Sequence, residues 1–159
     1  MVSGEESPSS AFNLAYADGR LIGVSASSLT GYSVAIAGDV NGDGYADVLV
    51  GAPEEASNGN LSGTGYLVHG PISGDLILDQ ADAIFAAENN DDYLGSAVST
   101  AGDVDDDGRD DVLLGANKDD FNASDAGAAY IMLAPVLGTV DVVDAGGKLA
   151  GPNLSLIHI

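Results

Sequence analysis

Short apolar runs recur along the chain, each broken by a cluster of Gly, Asp, Asn or Ser. In "YSVAIA" (32–37) and "SAVSTA" (96–101) the pattern alternates, the period of a strand with one face buried. "ADVLVGA" (46–52) and "DDVLLGA" (110–116) are continuous apolar strands following an acidic loop. A polar turn leads to a third strand in "GTGYLVHG" (63–70) and "GAAYIMLA" (127–134), and a weaker fourth lies near "AIFAAE" (83–88) and "GKLAG" (147–151). The breaks between them are turn chemistry. No segment sustains a 3.6-residue period, which disfavours a helical solenoid.

These segments come in pairs because the chain repeats itself. "GDVNGDGYADVLVGAP" (38–53) has a second copy in "GDVDDDGRDDVLLGAN" (102–117), with Asp39 and Asp103 64 positions apart. The same shift carries Gly31 to Gly95, Val34 to Val98, Gly51 to Gly115, Gly63 to Gly127, Tyr66 to Tyr130 and Pro71 to Pro135, without a gap. It also lays "ADGRLIGV" (17–24) over "ADAIFAAE" (81–88) and "AGGKLAGP" (145–152). Two whole units, 30–93 and 94–153, are therefore expected, with residues 1–29 holding an N-terminal segment and the outer strand of a preceding unit. Four short antiparallel strands per unit in repetition predict an all-β fold of β-propeller blades, two complete and the flanking ones partial. The unit exceeds the usual propeller repeat of about 40–50 residues, and longer surface loops are the expected excess.

Charge narrows the partners. The chain of 159 residues carries 25 acidic and 4 basic side chains, a formal net charge of −21. A phosphate-binding surface needs clustered Lys and Arg, so nucleic acid and anionic membrane are excluded as partners and cations are favoured. There is no cysteine, hence no disulfide framework or thiolate metal site. "MVSGEESPSS" (1–10) lacks the basic and apolar regions of a signal peptide, and no run reaches membrane-spanning length.

The acidic loop supplies the candidate chemistry. Asp39, Asn41, Asp43 and Asp47 occupy loop positions 1, 3, 5 and 9, as do Asp103, Asp105, Asp107 and Asp111 in the second copy. Alternate positions of a tight loop converge, and Ca²⁺ takes about six to eight oxygens at roughly 2.3–2.6 Å. Glycine at position 6, Gly44 or Gly108, permits the sharp turn. The backbone carbonyl of position 7, Tyr45 or Arg109, is a further ligand, which explains how unlike side chains share that place. Mg²⁺ prefers a smaller, wetter shell, and zinc wants His or Cys, neither of which stands near the loop in sequence. An EF-hand is ruled out, because position 12 is Val50 or Leu114 rather than Glu and a strand follows. Without a cation, six Asp within 103–111 against Arg109 alone would repel one another.

The stretches "TGYSVAIAGDVNGDGYADVLVGAP" (30–53) with "GTGYLVHG", and "LGSAVSTAGDVDDDGRDDVLLGAN" (94–117) with "GAAYIMLA", resemble the FG-GAP repeat of integrin α-chain propellers and their bacterial relatives. The name-giving Phe is Thr30 or Leu94, and Gly-Ala-Pro becomes Gly115-Ala116-Asn117 in the second copy. These departures touch packing rather than ligands. The resemblance implies a seven-bladed propeller of which this chain is a fragment, with Ca²⁺ in loops on one face and a secreted or cell-surface location. Carried over residue by residue, it implies Asp39, Asn41, Asp43, Tyr45 and Asp47 as one ligand set and Asp103, Asp105, Asp107, Arg109 and Asp111 as the other.

Little points to catalysis. The histidines are His69, inside a strand copy and expected to be structural, and His158; no Ser-His-Asp set or nucleophile elbow occurs. "SGTGYLVHG" lacks the Lys and helix of a phosphate loop. Tyr66 and Tyr130 are expected in the core, and the sequons at Asn60, Asn122 and Asn153 are short enough to arise by chance. "LSLIHI" (154–159) leaves the repeat and resembles the translation of a sequencing-library adapter, so a non-native tail is expected. The reading is a non-catalytic, calcium-binding adhesion module whose partners are an extracellular protein or glycan and the remaining blades of a longer chain. The alternatives are a propeller appended to a secreted hydrolase or lyase, or a structural spacer.

Overall fold

The structure, a computed structural model, describes residues 17–56, 60–120 and 124–150. Among these residues, eleven strands lie in three sheets: β1 (Gly19–Ile22), β2 (Ser33–Gly38), β3 (Asp47–Ala52), β4 (Thr64–Val68), β5 (Gly74–Ile77), β6 (Ala83–Ala86), β7 (Leu94–Gly102), β8 (Asp111–Ala116), β9 (Ala128–Met132), β10 (Gly138–Asp141) and β11 (Gly147–Ala150). Among the described residues there is no α-helix, only short 3-10 turns at Leu78–Gln80 and Val142–Asp144. The "LSLIHI" tail lies outside the described residues.

The all-β expectation holds. Strands β2, β3, β4 and β6 form one antiparallel blade, and β7, β8, β9 and β11 form its 64-residue copy. The extra length of each unit is not all surface loop. Each unit carries a fifth short strand that leaves its own blade and joins the outer strand of the preceding one in parallel: β10 pairs with β6, and β5 pairs with β1. Arg20 on β1 and Asp75 on β5 close that pairing with a bidentate fork at 2.7 and 2.5 Å. Sequence pattern missed these strands because GDLI and GTVD are four residues long and carry no alternation.

The two blades pack face to face. Leu49, Leu67 and Phe85 of the first meet Val112, Leu114, Tyr130 and Met132 of the second in one buried cluster. At β3 and β7 the backbones themselves touch, and a Cβ at Gly51 would collide with the carbonyl of Gly95. A polar lock lies on the same side: the Tyr130 hydroxyl donates to Asp119, and Lys148 pairs with Asp119 at 3.2 Å and Glu88 at 3.1 Å. Burial, then the Asp119 carboxylate, pushes the Tyr130 phenol far above its ordinary range. On the far side of the first blade, Val50, Tyr66 and Val68 are covered by Leu21, Ile72 and Leu76 from the β1–β5 pair and the turn before β5.

Equal positions differ sharply in surroundings. At Gly115, the counterpart of Gly51, the nearest atom to an added Cβ is a side-chain methyl, Ala97 Cβ, at 3.3 Å. Gly51→Ala should therefore lower the midpoint of urea unfolding by about 1–3 kcal/mol equivalent, and Gly115→Ala should move it far less; equal effects would show that the blades do not meet at β3 and β7.

Candidate metal centre

Each acidic loop is set up by the strand before it. Both β2 and β7 end in a bulge, with Ala37 or Ala101 as the extra residue before Gly38 pairs with Asp47 or Gly102 with Asp111. The loop then turns through positive φ at position 4 (Gly42, 78°; Asp106, 61°) and position 6 (Gly44, 89°; Gly108, 90°). The position-6 requirement was legible in sequence. The one at position 4 was not, since Asp occupies it in the second copy.

The carboxylates fold back onto the loop's own amides. In the first loop, Asp39 Oδ1 accepts from Gly42 N (2.8 Å) and Asp43 N (3.0 Å), and Oδ2 accepts from Gly44 N (2.9 Å). Asn41 Oδ1 accepts from Asp43 N, Asn41 Nδ2 donates to Asp43 Oδ2, and Asp43 Oδ1 accepts from Tyr45 N, each at 2.9 Å. Those bonds hold the Asp43 carboxyl below the usual carboxylate range, the Tyr45 amide first and Asn41 next, with a lesser electrostatic influence from His69. The second loop repeats the pattern, with Asp103 accepting from Asp107 N and Gly108 N, and Asp107 from Arg109 N.

Position 9 differs in kind. Asp47 and Asp111 are fully buried. Asp47 Oδ2 accepts from Val40 N and Oδ1 from Gly70 N, both at 2.9 Å. Asp111 binds Val104 N and Ala134 N in the same way, both at 2.8 Å. Each oxygen keeps acceptor capacity beyond that one bond, because an ionised carboxylate has about four lone-pair sites.

Sequence placed ten residues in two ligand sets. Of the acidic ones, the fold brings Asp103, Asp105 and Asp111 together, with one oxygen from each within 4.8 Å of the others. That spread matches ligands about 2.4 Å from a shared centre, and the donors are hard oxygens, so this set suits Ca²⁺. Asp107 stands outside that group and instead caps Arg109 N. In the first loop Asp43 is engaged by the Asn41 amide. Tyr45 keeps its ring exposed, whereas Arg109 lays its side chain toward the first loop, with Nε 3.3 Å from where a Gly42 Cβ would be. His69, distant in sequence, is brought close enough to Asp43 to influence it while its Nδ1 lies 3.5 Å from Asp82.

The FG-GAP repeat family matches residues 30–68 and 94–132, the two strand–loop–strand units just described. Integrin alpha pat-2 of Caenorhabditis elegans is 34% identical over 109 residues, covering 67% of this chain and 8% of the relative. Its Caenorhabditis briggsae counterpart is 35% identical over 131 residues, covering 81% and 10%. Human integrin alpha-X is 34% identical over 88 residues, covering 54% and 7%. The chain thus spans about a tenth or less of the length of these relatives.

The two roles of the loop acids separate by mutation. Asp47→Ala strands the buried amide of Val40 and the half-buried amide of Gly70 and should cost about 2–3 kcal/mol even in chelator. Asp43→Ala, on an exposed loop, should leave stability in chelator nearly unchanged. Denaturant unfolding in EDTA reads both, and equal losses would refute the separation.

Proposed function

The chain belongs to the FG-GAP repeat family as a pair of integrin alpha-like propeller blades, and on that premise we propose that it is a calcium-binding, non-catalytic adhesion module. Ca²⁺ held by the acidic loops would neutralise their carboxylates and rigidify the ends of β2–β3 and β7–β8. The face carrying those loops would then present a firm surface to an extracellular protein or glycan. The observation that carries this reading is the converging oxygen cluster of Asp103, Asp105 and Asp111 on a loop whose backbone is repeated 64 residues earlier.

Two open patches on the sheets support the propeller context. Val34 and Ile36 on β2 are 66% and 68% exposed, whereas Val98, the counterpart of Val34, packs against the first blade. Leu49 and Phe85 are fully buried, yet their counterparts Leu113 and Leu149 are partly open. These uncovered parts lie on the same two kinds of face that meet between the blades, so further blades are their proposed cover.

Ca²⁺ binding only the folded loops adds about 2.7 kcal/mol per site at a hundredfold excess over Kd. Saturating Ca²⁺ should therefore raise the melting temperature by about 5 °C or more over EDTA, and Asp43→Ala with Asp105→Ala should abolish that rise. Identical melting with and without chelator in the unsubstituted chain would refute the calcium reading.

A further inference from the structure

The two acidic loops touch, through a residue that neither ligand set contains. Asp110 directly precedes Asp111 in the second loop. Its amide donates to the carbonyl of Asp39 at 3.1 Å, and its Oδ2 accepts from the amide of Asp39 at 2.9 Å. Both backbone polar groups of the first loop's position 1 are thus held by one residue of the second. Room for this clamp exists only because Gly38 has no side chain: at φ +90° its Cβ would collide with the Asp110 carboxylate. Nothing lies within 4 Å of an added Cβ at Gly102, the equivalent glycine. The clamp is also particular to this junction in sequence, since the first unit carries Ala46 where the second carries Asp110. Arg109, beside it, covers the first loop at Gly42.

We infer that Asp110 is a positioning residue that couples ion binding between the loops, so that an ion in the second loop raises the affinity of the first. The inference rests on the calcium reading. An ion gathering Asp103, Asp105 and Asp111 fixes the peptide unit that carries Asp110. Asp110 then fixes Asp39, whose carboxylate heads the first loop. The first loop binds without the cost of ordering its own leading residue, and by linkage the second gains equally.

The first loop can be read selectively, because it contains Tyr45 where the second has Arg109. Terbium luminescence sensitised by tyrosine reports that loop in the 159-residue chain, and calorimetry with Ca²⁺ follows both. Asp105→Ala, which removes one of the three converging oxygens of the second loop, is expected to weaken binding at the first by about fivefold or more, within the usual range of such couplings. Asp110→Ala should weaken it equally with every proposed ligand in place, and the two substitutions together should add nothing further. Asp110→Asn keeps an acceptor oxygen and should restore the coupling, while melting in EDTA checks that each variant is folded. First-loop affinity indifferent to both Asp105→Ala and Asp110→Ala would overturn the coupling and leave calcium binding standing. Absence of binding in the unsubstituted chain would overturn both.

Discussion

Two buried carboxylates organise everything else. Asp47 and Asp111 each bridge the start of the acidic loop, at Val40 N or Val104 N, to the segment after the third strand, at Gly70 N or Ala134 N. A buried charge is tolerated only when it is well hydrogen-bonded, and here both oxygens are. The loop is thereby fastened to the body of the blade rather than hanging from a hairpin. The remaining acids, Asp39 and Asp103 foremost, take their positions from that anchored frame and from the amides of the loop itself. Loop shape and blade shape are one object, so a change at the loop is felt in the sheet.

Equivalent positions of the two units have been put to unequal use. Val40 is fully buried beneath the second blade, while Val104, in the same place of its own loop, is 55% exposed. Glu55 and Asp119 are likewise equivalent and both buried, yet the first receives the Ser25 hydroxyl and the second a tyrosine and a lysine. The unit supplies a scaffold, and the neighbour on either side decides which face of it becomes core.

Much of this was legible in the chain. The 64-residue register, the antiparallel strands and the loop positions follow from spacing that local physics enforces, as Gly44 and Gly108 at positive φ illustrate. Less legible was anything that depends on a second element. The bulge at Ala37 and Ala101 leaves only a glycine as its mark. Asp110 looked like one more loop acid until the fold set it against Asp39, and His69 stood twenty-odd positions from the Asp43 it influences. Spacing marks the position-9 acids only as candidate ligands, and their grip on two amides each lies in contacts across the blade.

Because β10 completes the blade before it, as β5 joins β1, the segment that repeats in sequence and the blade that folds are out of step by one strand. Tandem duplication copies the first, whereas selection acts on the second. A newly duplicated unit therefore arrives already stitched to its neighbour, and arrays of such units can lengthen without ever passing through a pair of unconnected sheets. The same offset means that modules exchanged between related proteins would have to be cut inside a blade, at the crossover, rather than at its edge.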